Sequence, residues 1–174
     1  MTLSRVSSSA TTIVKALPAD DQETFRVLIE ASWGRLVRLA RSVAGAADAE
    51  DVVQEALIVA WRKLPALRDR TKLEAWVARI VYRRAMRRAR HRRPQSSELA
   101  VEPAFTPDPA ARVDVWRILS RLAPRQRAVL QLTVVEGMTD AEIGDVLGIA
   151  PASVRSHRRR ARQRVAGMLN GGQA

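Results

Sequence analysis

The stretch "PASVRSHRRRARQRV", Pro151 to Val165, places six arginines in ten positions and holds no acid. Guanidinium groups at that density suit phosphate oxygens and the hydrogen-bonding edges of bases. A solvated basic tail has a similar composition, so the neighbouring residues must decide between the two. Upstream, "TDAE" at Thr139 to Glu142 has the form of a capping box, in which the threonine hydroxyl accepts from the third helical N–H and the glutamate reaches back. Gly148 can take the left-handed conformation that ends a helix in a tight turn, and a second helix begins at Pro151. Ile143, Leu147, Ile149, Val154 and Ala161 then fall where the two helices cross, which is the arrangement of a helix-turn-helix. With Val154, Ala161, Val165 and Met168 inward, the other side presents Ser153, Arg155, Ser156, Arg159, Arg160 and Gln163. The arginine run therefore reads as a recognition helix. Arg158 lies near the inward boundary, with its stem expected to pack and its charge to reach out.

Two further segments carry candidate chemistry. In "DAEDVVQEALIVAWRKL", Ala49, Val52, Val53, Ala56, Val59, Ala60 and Leu64 occupy most of the helix circumference and leave a stripe of Asp51, Gln54, Glu55, Ile58 and Arg62. An acidic and apolar stripe on a basic chain suits a protein partner better than DNA, although an ordinary solvated face has the same look. "LEAWVARIVYRRAMRRARHRR" begins amphipathic and ends as a charge run. Arg79, Arg83, Arg87 and Arg90 share one face, with Arg84 and Arg88 adjacent. Together with Trp76 and Tyr82 they could stack on unpaired bases, or the arginines could contact phosphate alone.

The elements that position these residues are helical throughout. Apolar residues recur at three- and four-residue intervals, alternating β-branched runs are missing, and aromatics make up 4% of the chain. The expected fold class is all-α, with helices near Gln22 to Val43, Asp48 to Lys63, Lys72 to Arg92, Arg112 to Ser120 and Pro124 to Val135 ahead of the helix-turn-helix. Trp61 and Trp76 fall on inward faces and read as core filling. "PQSSELAVEPAFTPDPA", Pro94 to Ala110, carries four prolines, three acids and no base, so it cannot continue a helix and reads as a flexible, acidic, Pro-rich linker. The chain divides on this reading into a disordered N-terminus (residues 1–20), one small helical domain (21–93), the linker (94–111) and a second helical domain (112–170).

Thirty Lys and Arg against 18 Asp and Glu give a formal charge of +12, which makes a polyanion the expected partner. With no cysteine there are no disulfides, thiolate metal sites or cysteine nucleophiles. Neither His91 nor His157 sits at ligand spacing to another ligand, and no carboxylate pairs with a histidine. No enzyme activity, metal or cofactor is expected. No segment approaches the roughly 18 apolar residues of a membrane span, so a soluble, cytoplasmic protein is expected.

Three motifs, in order, resemble the bacterial sigma factors. "AEDVVQEALIVAW" looks like their core-binding helix, "LEAWVARIV" like the start of their promoter-melting helix, and "LSRLAPRQRAVLQLTVVEGMTDAEIGDVLGIAPASVRSHRRRAR" like their C-terminal helix-turn-helix domain. Two such domains and a short linker are similar to the extracytoplasmic-function (ECF) subgroup. The resemblance implies a subunit that binds RNA polymerase core, recognises promoters and helps open them. Asp51, Gln54, Glu55 and Ile58 would meet the clamp coiled coil of the largest polymerase subunit. The loop from Leu67 to Lys72, with Trp76, Arg79, Tyr82, Arg83 and Arg87, would hold flipped bases of the minus-ten element. Ser153, Arg155, Ser156, His157, Arg159 and Arg160 would contact the minus-thirty-five element, and the linker would run through the RNA channel. An anti-sigma protein is a further implied partner. Many members have Asn and Asp where this chain has Arg83 and Arg87, a usual Arg in place of His157 and a usual Leu in place of Arg158.

Nineteen residues from Arg93 to Ala111 can span at most roughly 63 to 68 Å, close to two turns of duplex. Two DNA-binding modules so joined can read separated elements. A dimeric helix-turn-helix regulator would share the C-terminal motif but leaves the acidic stripe, the arginine and aromatic helix and the linker without a purpose. A basic RNA-binding protein would leave the helix-turn-helix incidental.

Overall fold

The computed structural model describes residues 19–91 and 118–170. The linker, most of the expected helix near Arg112 and all but Ala19 and Asp20 of the expected disordered N-terminus lie outside the described residues. Ala19 and Asp20 already belong to the first helix. All regular structure among the described residues is helical: α1 Ala19–Ala44, α2 Ala46–Lys63, α3 Leu73–His91, α4 Pro124–Leu130, α5 Asp140–Leu147 and α6 Pro151–Asn170.

Helices α1, α2 and α3 pack on one another through apolar stripes at helical spacing. Phe25, Leu36, Leu39, Ala40 and Val43 of α1 are buried against Val52, Val53, Ala56 and Ala60 of α2 and Val77, Val81 and Ala85 of α3. Alanines at 49, 56 and 60 lie flush with the backbone, which lets α2 approach its neighbours closely. Phe25 meets Trp61 edge to face, with centroids 5.2 Å apart. The break between α1 and α2 is a single residue, Gly45 at φ 96°, rather than the four-residue gap expected between Val43 and Asp48.

In the second half, Pro124 opens α4, and the Gln126 side chain accepts from the Ala123 N–H at 3.2 Å. The expected helix to Val135 changes hand-over at Gln131, where the last turn, Gln131–Val135, widens to a π-helix. The capping box at Thr139 forms in both directions. The Thr139 hydroxyl accepts from the Glu142 N–H at 3.3 Å, and Glu142 Oε2 accepts from the Thr139 N–H at 2.8 Å. Gly148 closes α5 at φ 69°. Its N–H and that of Ile149 both donate to the Gly144 carbonyl, at 2.8 and 3.0 Å. The turn is so tight that a Cβ on Gly144 would lie 2.7 Å from the Ile149 carbonyl oxygen. Ile143, Leu147, Val154 and Ala161 are buried where α5 and α6 cross, and Ile149 is partly buried beside them.

The two helix groups also touch: α1 packs on α4, and α3 on α5. Leu132, Ile143, Val146 and Leu147 belong to the same continuous apolar cluster as Val77 and Val81.

Gly144→Ala is expected to destabilise the protein by about 1–3 kcal/mol, because the added methyl meets backbone that must shift. Urea unfolding measures this, and wild-type stability would show that the turn opens freely. A second expectation concerns acid. Hydrogen bonds from the Thr139 N–H and then its hydroxyl hold the Glu142 carboxyl below the ordinary range. A lowered carboxylate contributes stability that is present above its ordinary pKa and lost as pH falls through the depressed one. Thr139→Ala should cost about 1 kcal/mol near neutral pH and flatten part of the acid limb of a stability–pH curve; an unchanged limb would contradict the role of the cap.

Candidate nucleic-acid interface

Three surfaces gather the candidate residues. On α6, Arg155, Ser156, Arg159, Arg160 and Gln163 are exposed, while Ser153 and His157 are half-buried. Burial foremost, then the charges of Arg125 and Arg160, holds the His157 imidazole below its ordinary value, which favours the neutral ring. Arg158 departs from the expectation that its charge would reach solvent. Its two terminal nitrogens donate to both carboxylate oxygens of Asp140, at 2.6 and 3.2 Å, and both side chains are mostly buried. Arg155 approaches the same carboxylate at 3.7 Å. Asp140 is the first residue of α5, so one acid at a helix N-terminus fixes how the recognition helix sits across it.

On the first half, the loop between α2 and α3 is held by its own side chains. Asp69 accepts from the Thr71 N–H at 3.0 Å and its hydroxyl at 2.6 Å, which lowers the carboxyl from its ordinary value, the hydroxyl bond contributing most. Arg70 donates to the carbonyls of Leu64 and Leu67 and pairs with Asp21 at 2.8 Å. Following the loop, Trp76 is partly buried against the core, and Arg83 and Arg87 are exposed. Arg79 and Tyr82 are engaged from the other half of the chain. Arg79 Nε donates to the Asp145 carbonyl at 2.6 Å. Tyr82 is only 3% exposed, and its hydroxyl accepts from Arg125 at 3.2 Å. In this arrangement its ring offers no face to a base.

On α2, Asp51, Gln54 and Ile58 are exposed along one edge. The side chains of Asp51 and Gln54 make no hydrogen bond or ion pair among the described residues. Glu55 differs: it accepts from Arg84 at 2.6 Å and Arg88 at 3.1 Å, and Arg88 also approaches Asp48 at 3.5 Å. This acid ties α2 to α3 and closes one wall of a shallow cleft of about 280 Å³, lined also by Val52, Arg87 and His91. Among the described residues there is no group of three or more metal-binding side chains, and no helix is long and apolar enough to cross a membrane.

The described residues thus carry a capped helix-turn-helix in one group of helices and an arginine-lined helix in the other. Residues 28–95 match the family model for Sigma-70 region 2, and residues 112–165 that for Sigma-70 region 4. The ECF RNA polymerase sigma factor SigM of Mycobacterium tuberculosis is 30% identical over 162 residues, which cover 90% of this chain and 83% of that one. The ECF sigma-E factor of Escherichia coli is 26% identical, over 88% of this chain and 90% of its own. The chain belongs to the ECF RNA polymerase sigma factors, which are initiation factors and not enzymes. Among solved structures, CnrH in complex with the cytosolic domain of CnrY is 27% identical with a TM-score of 0.65, covering 93% of this chain and 95% of that one. The fold is shared also with the sigma factor RpoE of Bartonella quintana, solved with the anti-sigma factor NepR, at a TM-score of 0.67, 24% identity, and 84% and 96% coverage.

Sequence reasoning did not find the Asp140 and Arg158 clamp. Asp140→Asn, which keeps the shape and raises the net charge, should cost about 1–3 kcal/mol by leaving Arg158 poorly paired. It should also weaken discrimination between a selected duplex site and random duplex. Gains in affinity for both duplexes without loss of stability would reduce Asp140 to a surface charge.

Proposed function

We propose that this ECF sigma factor divides its work among the three surfaces. The exposed edge of α2, Asp51, Gln54 and Ile58, docks on the clamp coiled coil of the largest subunit of polymerase core. Glu55 borders that edge and keeps it in register with α3 through Arg84 and Arg88. The loop from Leu67 to Lys72, with Trp76, Arg79, Tyr82, Arg83 and Arg87, takes the single-stranded minus-ten element. The exposed side of α6, from Ser153 through Arg155, Ser156, His157, Arg159 and Arg160, takes the duplex minus-thirty-five element.

The observation that carries the first assignment is the unpaired state of Asp51 and Gln54 beside an exposed Ile58, at 46% exposure, on a helix where Asp48 and Glu55 are tied to arginine and only Glu50 is likewise exposed without one. A polar pair next to an isolated aliphatic side chain is the composition of a protein-docking edge rather than of a phosphate site. The domain limits proposed are residues 21–93 and 112–170 around the linker at 94–111, and the site of action is the cytoplasm, where polymerase works. An anti-sigma protein is proposed as a regulatory partner, since the solved RpoE relative is held by one.

The test is binding to purified bacterial core polymerase. Asp51→Ala with Gln54→Ala should weaken the complex by about tenfold, or ~1.4 kcal/mol, with the helical content unchanged. Unchanged affinity would remove the docking assignment. Sequence-specific duplex binding with no affinity for core would favour a helix-turn-helix regulator instead.

A further inference from the structure

Beside the face of α3 that carries Arg79 and Arg83, the same helix turns a second basic face toward α2. At about 100° per residue, Arg84 and Arg88 lie more than a quarter turn around the axis from Arg83. There the two helices border the shallow cleft of about 280 Å³, whose lining is the buried Val52 with Glu55, Arg84, Arg87, Arg88 and His91. Three guanidinium groups thus meet one carboxylate. Glu55 gives one oxygen to each of two: Oε2 accepts from Arg84 Nη1 at 2.6 Å, and Oε1 from Arg88 Nη2 at 3.1 Å. Asp48, outside the cleft, approaches Arg88 at 3.5 Å. Arg87 and His91 are exposed and have no acid partner among the described residues.

Glu55 demonstrates what the arginine pair can hold. An oxyanion whose two oxygens each reach a different guanidinium has the geometry that neighbouring oxygens of a phosphate group offer. Each guanidinium is a fork of five N–H donors, more than one shared carboxylate can accept, so donors are left over on Arg84 and Arg88. Those of Arg87 are open. A ligand that uses them must bring several acceptor oxygens and more than one negative charge in a small volume. Small-molecule sites run roughly 300–1,000 Å³, so a cleft at the bottom of that range fits a short phosphate chain better than a base with its sugar. A phosphodiester backbone fits less well, because its charge is spread along the strand instead of gathered on linked terminal groups.

We propose that the cleft between α2 and α3 binds a compact oligophosphate, either inorganic or the phosphate tail of a nucleotide, through Arg84, Arg87 and Arg88 with His91 at the rim. Glu55 occupies part of this site in the free chain, so the ligand competes with it for Arg84 and Arg88. The site shares Glu55 and Arg87 with surfaces described above, but it does not depend on what docks on either of them.

The test is isothermal titration calorimetry of pyrophosphate into the full chain, at physiological salt to screen loose attraction to so basic a protein. Charge-matched pairs of variants locate the binding. Glu55→Gln removes the internal competitor and keeps its shape, and should tighten pyrophosphate by about tenfold, the worth of one charge-assisted hydrogen bond. Glu50→Gln makes the same charge change at an exposed acid of α2 outside the cleft and should have little effect. Arg87→Gln leaves both Glu55 pairs in place and should weaken binding by about tenfold. Arg62→Gln, at an exposed arginine of α2 away from the cleft, should not. Circular dichroism checks the helices of each variant, and the Arg87 pair decides the matter if Glu55→Gln loosens the fold. ADP titrated beside pyrophosphate separates the two sources: equal affinity assigns the site to the phosphate chain alone, and tighter ADP to a nucleotide. Equal effects within each charge-matched pair would reveal diffuse attraction and overturn the site. So would a gain on Glu55→Gln confined to a fluorescein-labelled single-stranded oligonucleotide, which would make the cleft part of the nucleic-acid surface.

Discussion

An excess of arginine over acid is the condition to which the whole molecule is fitted. Thirty cations share 18 anions, and most acids of the described residues are engaged. Asp21 holds Arg70, Glu55 holds Arg84 and Arg88, Glu74 and Glu136 hold Arg35, and Asp140 holds Arg158. The half-exposed pairs among these add little to stability one by one. Their effect is positional, since each decides which arginine lies along the protein and which is left for an outside phosphate. Arg83, Arg87, Arg159 and Arg160 are exposed with no acid partner among the described residues. So are others such as Arg62, Arg90 and Arg162, and the first four are those that lie on the two surfaces proposed for nucleic acid.

The same scarcity gives meaning to a free acid. Arg84 and Arg88 of the adjoining helix are taken by Glu55 and Asp48, while Asp51 is exposed along the same edge as Gln54 and Ile58. Helix α3 is the pivot of this arrangement. Val77 and Val81 bind it into the core, Arg84 and Arg88 fasten it to α2, and Arg79 and Tyr82 reach across to α4 and α5. One helix therefore connects the surface proposed for polymerase with the domain that carries the recognition helix.

Local pattern in the sequence was enough for the helices, the Thr139 cap, the Gly148 turn and the outward side of α6, because each depends on residues three or four positions apart. What it missed depends on pairs far apart in the chain. Glu55 with Arg84 and Asp140 with Arg158 join different helices, and no periodicity reveals which acid an arginine will choose. Tyr82 illustrates the same gap. Its place on an amphipathic helix allowed stacking on a base, and only the packing of α4 shows its ring covered. Gly144 escaped notice because a glycine inside a helix carries no local sign that the Ile149 carbonyl will press on it. The outward faces of α2 and α6 were legible from helical spacing, whereas their assignment to polymerase and to particular promoter elements came from the family resemblance.

Arg127 reaches Ser42 across 85 residues of chain. During synthesis the N-terminal helices leave the ribosome first, at about 5–20 residues per second, and the 66 residues between Arg79 and Asp145 leave Arg79 without its cover for roughly 3–13 s. For that interval the nascent chain presents Arg79 and Tyr82 bare. The surface proposed for the minus-ten element is thus most open at the chain's birth, and synthesis of α4 and α5 is what ends the exposure.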